Sequence, residues 1–256
     1  DLAGLADLVA VGHPTGVHDG AGGAGSSIEG LGEVFDELVV GGLTEATTAA
    51  TDAGLAAMSW AGIYWLYRRT PPSFLQRCWL AMLATFGLAA LLGAIAHGFP
   101  WSAGQLDHIW QPLYLALGVA VACFVLAAVC AGWGDAAARR ARPFLLLAAG
   151  VFYLLTRLTG GDFLVFVIYE GAGLLFALAV HGWLARSGRA GAHWVTAGLA
   201  VSLAAGVVQA IDTVSFRLVW TFDHNGIFHL VQALGLGLLL VGLRPLLGGT
   251  SPARAP

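Results

Sequence analysis

Histidines and acidic residues lie at the ends of several apolar segments in this sequence, and together they could form a metal site. His97 closes one segment, in GAIAHGFPW, and His224 and His229 open the last one, in TFDHNGIFHL. Asp107 and His108 open a third segment, in QLDHIWQP. Neutral imidazole nitrogens bind zinc well, and a catalytic zinc keeps one position open for a reactive water. These residue types therefore predict a metal site that activates water.

Further polar residues lie at a similar depth in other apolar segments. Ionisable side chains inside a bilayer are costly, so they normally face the interior of a helix bundle and pair with one another. We expect such residues to orient the metal ligands by hydrogen bonding. The predicted supporting residues are Glu45, Asp52, Glu170, Asp212 and Asn225. A simpler interpretation stays open, because polar residues at the ends of spans meet water and lipid headgroups.

The composition is that of a membrane protein. The 256 residues are 58% hydrophobic and 11% charged, with a mean hydropathy of +0.78, whereas soluble domains contain about 25% charged residues. All 12 basic residues are arginine, so the chemistry of a lysine Schiff base, with retinal or pyridoxal phosphate, is excluded. The three cysteines lie in apolar runs, and we interpret them as packing residues. No phosphate-binding loop or serine nucleophile elbow stands out.

Seven apolar segments are candidates to cross a bilayer, which requires about 20 residues each. Arginines concentrate after the first, third, fifth and seventh segments, whereas Asp107, Asp162 and Asp223 lie in the alternate connections. The positive-inside rule then places the N-terminus outside and the C-terminus in the cytoplasm. We predict an all-α protein, a seven-helix transmembrane bundle. The predicted spans are 44–67, 77–98, 109–132, 143–158, 163–185, 193–216 and 225–246.

Two flanking regions complete the predicted organisation. Residues 1–42 are predicted to form a Gly-rich, acidic extracytoplasmic extension, in which LGEVFDELVV has the apolar spacing of a short amphipathic helix. Residues 43–247 form the predicted membrane domain, and residues 248–256 form a cytoplasmic tail. We expect an integral protein of the bacterial inner membrane.

The pattern of polar residues resembles the CREST superfamily of seven-span membrane hydrolases, which includes alkaline ceramidases, progestin and adipoQ receptors and Per1 proteins. Those proteins have a histidine late in the second span, an aspartate at the start of the third and a paired histidine motif in the seventh. His97, Asp107 and HNGIFH take these places here. Two positions depart from the family pattern. Asn225 stands where the first histidine of the pair is usual, and Gly93 stands where a serine is frequent.

The resemblance implies a zinc-dependent hydrolase that acts on a lipid amide or ester near the outer leaflet. His97, His224 and His229 would bind the zinc, and His108 could replace a lost ligand. Asp107 would act as a base or orient the zinc-bound water. The alternative is a non-enzymatic accessory subunit or lipid-binding protein whose polar cluster is structural, and haem ligation is a third possibility. The expected partners are membrane lipids and other membrane subunits, and no nucleic-acid surface is expected.

Overall fold

The computed structural model describes residues 45–211, 213–217 and 220–249, and these residues form seven α helices. Between the last two helices lies a short antiparallel hairpin, β1 (Phe216–Arg217) with β2 (Thr221–Phe222). The predicted helix within residues 1–42, Asp212 and the tail from residue 250 lie outside the described residues. The helices are α1 (Ala46–Arg69), α2 (Phe74–Gly98), α3 (Ala103–Trp133), α4 (Asp135–Leu158), α5 (Phe163–Arg186), α6 (Ala192–Ala210) and α7 (His224–Gly248).

Six of the described helices, α2 to α7, are long and apolar enough to cross a membrane. The chain is therefore an integral membrane protein with an all-α architecture, apart from the short hairpin. The fourth predicted span, 143–158, is part of a longer helix because residues 135–142 continue it toward the N-terminus. The sixth helix ends at Ala210, earlier than predicted. The β-branched and aromatic residues that follow it favour extended structure and lead into the hairpin.

Short connections with well-capped helix ends place consecutive helices side by side. Ser73 follows a pair of prolines and begins α2, and its side chain accepts a hydrogen bond from the Gln76 amide at 3.0 Å. Ser102 and Gln105 form a capping box at the start of α3. Gly134 alone separates α3 from α4, with a φ of 84° that favours glycine. Neighbouring helices in the sequence therefore run in opposite directions.

Six of the described helices form a closed ring in the order α1, α2, α3, α5, α6 and α7. Helix α4 lies outside this ring, mainly against α3. It exposes large apolar side chains, including Phe144, Leu147 and Leu158, each more than 60% exposed. Because the same helix is apolar enough to span a membrane, this exposed face is suited to contact lipid.

Glycines allow α6 and α7 to approach each other at the level of the backbone. A Cβ atom built on Gly198 would lie 2.6 Å from the Gly235 carbonyl oxygen. A Cβ atom on Gly235 would lie 2.7 Å from the Ser202 hydroxyl, and one on Gly242 would lie 2.7 Å from the backbone nitrogen of Val195. Small residues at such contacts are typical of membrane helices, which associate by close packing. This contact fixes α7, the helix that contains His229.

The two ends of the bundle differ in charge. The starts of α1, α3 and α7 lie beside the ends of α2 and α4, and we call this the polar end. Of the residues singled out in the sequence, it contains Glu45, Asp52, His97, Asp107 and His229. The opposite end contains most of the arginines, which are Arg68, Arg69, Arg77, Arg139, Arg140, Arg142, Arg186, Arg189 and Arg244.

Candidate functional site

The first feature of the polar end is a carboxylate–imidazole pair that joins α1 to α2. The Nδ1 atom of His97 lies 2.7 Å from the Oε2 atom of Glu45. The backbone amide of Glu45 also donates to the His97 carbonyl oxygen at 3.0 Å. Trp110 of α3 packs edge-on against the imidazole, with ring centroids 5.6 Å apart. Glu45 therefore both orients the His97 ring and fastens the start of α1 to the end of α2.

A second pair joins α1 to α7 and is more deeply buried. The Nε2 atom of His229 lies 3.3 Å from the Oδ1 atom of Asp52, and the two side chains are 10% and 7% exposed. On the other side of the ring, the Nδ1 atom lies 3.1 Å from the Thr51 hydroxyl. Both ring nitrogens of His229 are thus engaged by consecutive residues of α1. The Thr51 hydroxyl donates to the Thr47 carbonyl oxygen at 2.8 Å, so its own oxygen can accept a hydrogen bond from the Nδ1 atom of His229.

Gly93 on α2 provides the space that the Asp52 carboxylate occupies. A Cβ atom built on Gly93 would lie 2.6 Å from the Oδ2 atom of Asp52 and 3.0 Å from its Cγ atom. Any larger residue at this position would displace the carboxylate. Gly93 is one helical turn before His97, so Asp52 lies at the level of the turn that leads to the first pair. The two pairs consequently belong to one cluster, Glu45, Asp52, His97 and His229, which we call the outer cluster.

Asp223 closes the outer cluster on the α7 side. Its side chain caps α7 by accepting a hydrogen bond from the Gly226 amide at 2.8 Å, and it accepts a second bond from the Thr48 hydroxyl at 3.3 Å. The Thr47 hydroxyl donates to the Thr221 carbonyl oxygen at 3.0 Å. The first turn of α1 is therefore tied to both the hairpin and the start of α7.

Several predicted site residues lie apart from this cluster. His224 and Asn225 occupy the first turn of α7, and no hydrogen bond or ion pair joins either side chain to the cluster among the described residues. Glu170 lines a separate cavity of about 70 Å³ with Phe86 and Ser202, inside the helix ring. Asp212, which was predicted to support the metal ligands, lies outside the described part of the chain.

Asp107 and His108 are also directed elsewhere. Asp107 lies 3.6 Å from the Nη1 atom of Arg157 on α4, and it accepts a hydrogen bond from Gln111 at 2.8 Å. His108 is exposed, and its Nδ1 atom bonds to the Gly104 carbonyl oxygen of its own helix. The start of α3 thus presents Trp110, rather than its acidic residue, to His97.

As placed among the described residues, the predicted zinc ligands are not grouped around one point. A zinc site needs at least three donors directed at one point, and His229 already has both nitrogens engaged. In the part of the chain that the structure describes, no three His, Cys, Asp or Glu side chains are grouped to hold a metal ion. Zinc binding by His97, His224 and His229 stays a prediction for metal analysis.

Two threonines that complete the outer cluster, Thr48 and Thr51, were not among the residues predicted from the sequence. Thr48 and Thr51 are three residues apart, and Asp52 is four residues after Thr48, so all three lie near one face of α1. The run TTAATD could have indicated this face, because its polar residues recur at helical spacing. The face is buried: Thr48 is 0% exposed.

Comparison with known families adds one finding. Residues 47–247, which include all but the first residue of α1 and nearly all of α7, match DUF6962, a family of unknown function. The chain belongs to this family. The DUF6962 match covers Asp52, His97 and His229 and begins two residues after Glu45. No match was found among curated proteins or among solved structures, so the resemblance to CREST proteins stays a prediction.

Proposed function

We propose that this protein is a non-enzymatic component of a membrane, an accessory or lipid-binding protein, and that the outer cluster is its structural lock. In this proposal α1 supplies the acidic side of two carboxylate–imidazole pairs, and α2 and α7 supply the basic side. The lock keeps the polar ends of three helices together where the membrane meets water. It corresponds to the alternative that the sequence left open beside hydrolysis.

One observation carries this proposal: Thr51 and Asp52 engage the two ring nitrogens of His229. A buried polar group is costly unless it is hydrogen-bonded, and here each partner satisfies the other. Glu45 and His97 form a second carboxylate–imidazole pair, in which each side chain is the partner of the other. Polar side chains that pair across two neighbouring helices are suited to hold those helices together.

We extend the proposal to a seventh span formed by α1. Its 24 residues correspond to about 36 Å of helix, more than a hydrocarbon core of roughly 30 Å. The polar residues that lower its hydropathy, Thr48, Asp52 and Ser59, are buried in the protein and do not face lipid. With seven spans, the arginine-rich end is cytoplasmic and the outer cluster lies beneath the outer surface.

Zinc-dependent hydrolysis is the second candidate, and a specific observation favours it. A carboxylate bound to one nitrogen of an imidazole is the usual arrangement that orients a metal-ligating histidine. Glu45 holds the Nδ1 atom of His97 in this way. This candidate requires His229 to leave Thr51 or Asp52, so it predicts that zinc changes the environment of α1.

Metal analysis of the purified chain, combined with unfolding measurements, separates the two candidates. The chain is purified without chelators, its zinc content is measured, and the His97→Ala and His229→Ala variants are treated identically. For the structural lock we expect no stoichiometric zinc, and we expect His229→Ala to lower the free energy of unfolding. Hydrolysis of a long-chain amide by the same preparations is measured in parallel.

Stoichiometric zinc that is lost in both variants, together with amide hydrolysis, would overturn the structural proposal in favour of the hydrolase. His224→Ala serves as the matched control, because no hydrogen bond or ion pair joins its side chain to the outer cluster among the described residues. Zinc content that depends equally on His224 would restore the ligand set predicted from the sequence. A Soret absorption band would support haem ligation instead.

A further inference from the structure

A second polar feature adjoins Trp110, the residue of α3 that also packs against His97. It is a cavity of about 370 Å³ between the start of α3, the end of α4 and the turn that follows α4. Its size falls within the roughly 300–1,000 Å³ of small-molecule sites. Asp107, Trp110, Gln111, Tyr114, Arg157 and Gly160 line it. It belongs to the polar end of the bundle.

The cavity contains one positive and one negative group that only partly satisfy each other. The Nη1 atom of Arg157 lies 3.6 Å from the Oδ2 atom of Asp107, longer than the roughly 2.7–2.9 Å of a strong charge-assisted hydrogen bond. Both side chains are about half exposed, at 47% and 59%. Each can therefore accept a ligand group of opposite charge without first breaking a tight pair.

Gln111 gives an independent indication of a ligand with hydrogen-bond donors. Its amide nitrogen donates to Asp107 at 2.8 Å, whereas its Oε1 atom is buried and has no hydrogen-bond partner among the described residues. A buried carbonyl oxygen without a partner is costly. An ammonium group placed between this oxygen and the Asp107 carboxylate would satisfy both.

Aromatic rings form another wall of the cavity. Trp110 and Tyr114 stack with centroids 5.8 Å apart, and the Tyr114 hydroxyl donates to the Gly161 carbonyl oxygen at 3.3 Å. A cation near such rings is further stabilised by their π systems. Gly160 and Gly161 form the turn that faces these rings, with φ values of 68° and 86° that favour glycine. A Cβ atom at Gly160 would meet nothing within 4 Å, so the cavity is open at this residue.

We infer that this cavity binds a zwitterion that combines a phosphate with a primary ammonium, as in a phosphatidylethanolamine headgroup. Arg157 binds the phosphate, because a guanidinium is suited to bidentate contacts with phosphate oxygens. Asp107 and the Gln111 oxygen bind the ammonium. Leu158, the next residue of α4, is 73% exposed and belongs to the apolar surface of this helix that is suited to contact lipid. The inference uses none of the residues of the outer cluster.

Binding of short-chain phosphatidylethanolamine and phosphatidylglycerol to the full chain in detergent tests this assignment. Native mass spectrometry gives the affinity for each lipid separately. We expect the wild type to prefer phosphatidylethanolamine, and we expect Arg157→Gln to weaken its binding about tenfold, as for the loss of a hydrogen bond to a charged group. Asp107→Asn should abolish the preference between the two lipids, because the anionic lipid has no ammonium.

Arg140→Gln is the matched control, since Arg140 is an exposed arginine at the opposite end of the same helix. If Arg157→Gln and Arg140→Gln weaken binding equally, or if the wild type binds both lipids equally, the assignment is wrong. Soluble phosphoethanolamine is then added as a competitor to the wild type. Competition as strong as that of the lipid identifies a soluble zwitterion as the ligand, and weaker competition identifies the membrane lipid. Either result supports the recognition chemistry, whereas no competition contradicts it.

Discussion

Gly93→Ala tests the link between the two halves of the outer cluster. An added Cβ atom would lie 2.6 Å from the Oδ2 atom and 3.0 Å from the Cγ atom of Asp52. Asp52 is 7% exposed in its side chain and is held by His229 at 3.3 Å, so it has little room to move. Overpacking of this kind costs about 1–3 kcal/mol. We expect Gly93→Ala to lower the free energy of unfolding by about this amount.

The matched control is Gly54→Ala on α1. Gly54 is also a helical glycine, but a Cβ atom there would meet nothing within 4 Å. Replacing an unhindered helical glycine by alanine stabilises a helix by roughly 0.5–1 kcal/mol. The two substitutions are chemically identical, so opposite signs would report the difference in space. Unfolding in mixed micelles with increasing SDS, followed by circular dichroism, measures both.

A double-mutant cycle then identifies Asp52 as the cause. In an Asp52→Ala background the carboxylate is absent, so Gly93→Ala should cost close to nothing. The coupling free energy should therefore equal the cost of the single substitution, about 1–3 kcal/mol. A Gly93→Ala cost that persists unchanged in this background would refute the reasoning, as would a single variant as stable as Gly54→Ala.

Three further predictions use the same unfolding assay. His229→Ala should cost about 1–3 kcal/mol because it leaves the buried Asp52 side chain without its partner, whereas His224→Ala should change stability by less than about 0.5 kcal/mol; equal effects would contradict this. Glu45→Gln should cost at most about 1 kcal/mol, since the carboxylate is half exposed, and the loss should shrink at high salt. Gly198→Ala should reduce the folded fraction strongly because its Cβ would meet the backbone of α7, while Gly206→Ala, with open space around it, should be tolerated.

The helices were largely predictable from the sequence because long apolar runs have few other solutions in a bilayer. The end of α6 was less predictable, since the residues after Ala210 are apolar enough to extend a span but favour a hairpin by their branching. The first helix was predicted as a span from its length. Its polarity, which sets it apart from the other six, is explained only by the packing, which buries Thr48 and Asp52.

The site was predictable only in part, because the sequence does not fix the rotation of each helix about its own axis. The predicted topology, with its span boundaries and orientation, was sufficient to place His97 and His229 near the same end of the bundle. It could not tell that Asp107 turns toward Arg157 while Trp110 turns toward His97. It also could not distinguish histidines that converge on one point from histidines that are each paired with a carboxylate. That distinction depends on the helix that supplies the carboxylates, and this helix is α1.

Gly93, which departs from the family pattern, and Asp52, which was predicted as a supporting residue, are best understood as one structural feature. Gly93, taken alone, is a position where the resembling proteins often have a serine, and its change would only remove a polar group. In the fold, the missing side chain leaves the volume that Asp52 fills, and Asp52 is the residue that engages His229. A serine at position 93 would meet the same carboxylate as an alanine does, so serine and a buried Asp52 exclude each other in this packing. The glycine therefore belongs to the outer cluster's packing, and Gly93→Ser should be tolerated only when Asp52 is made smaller as well.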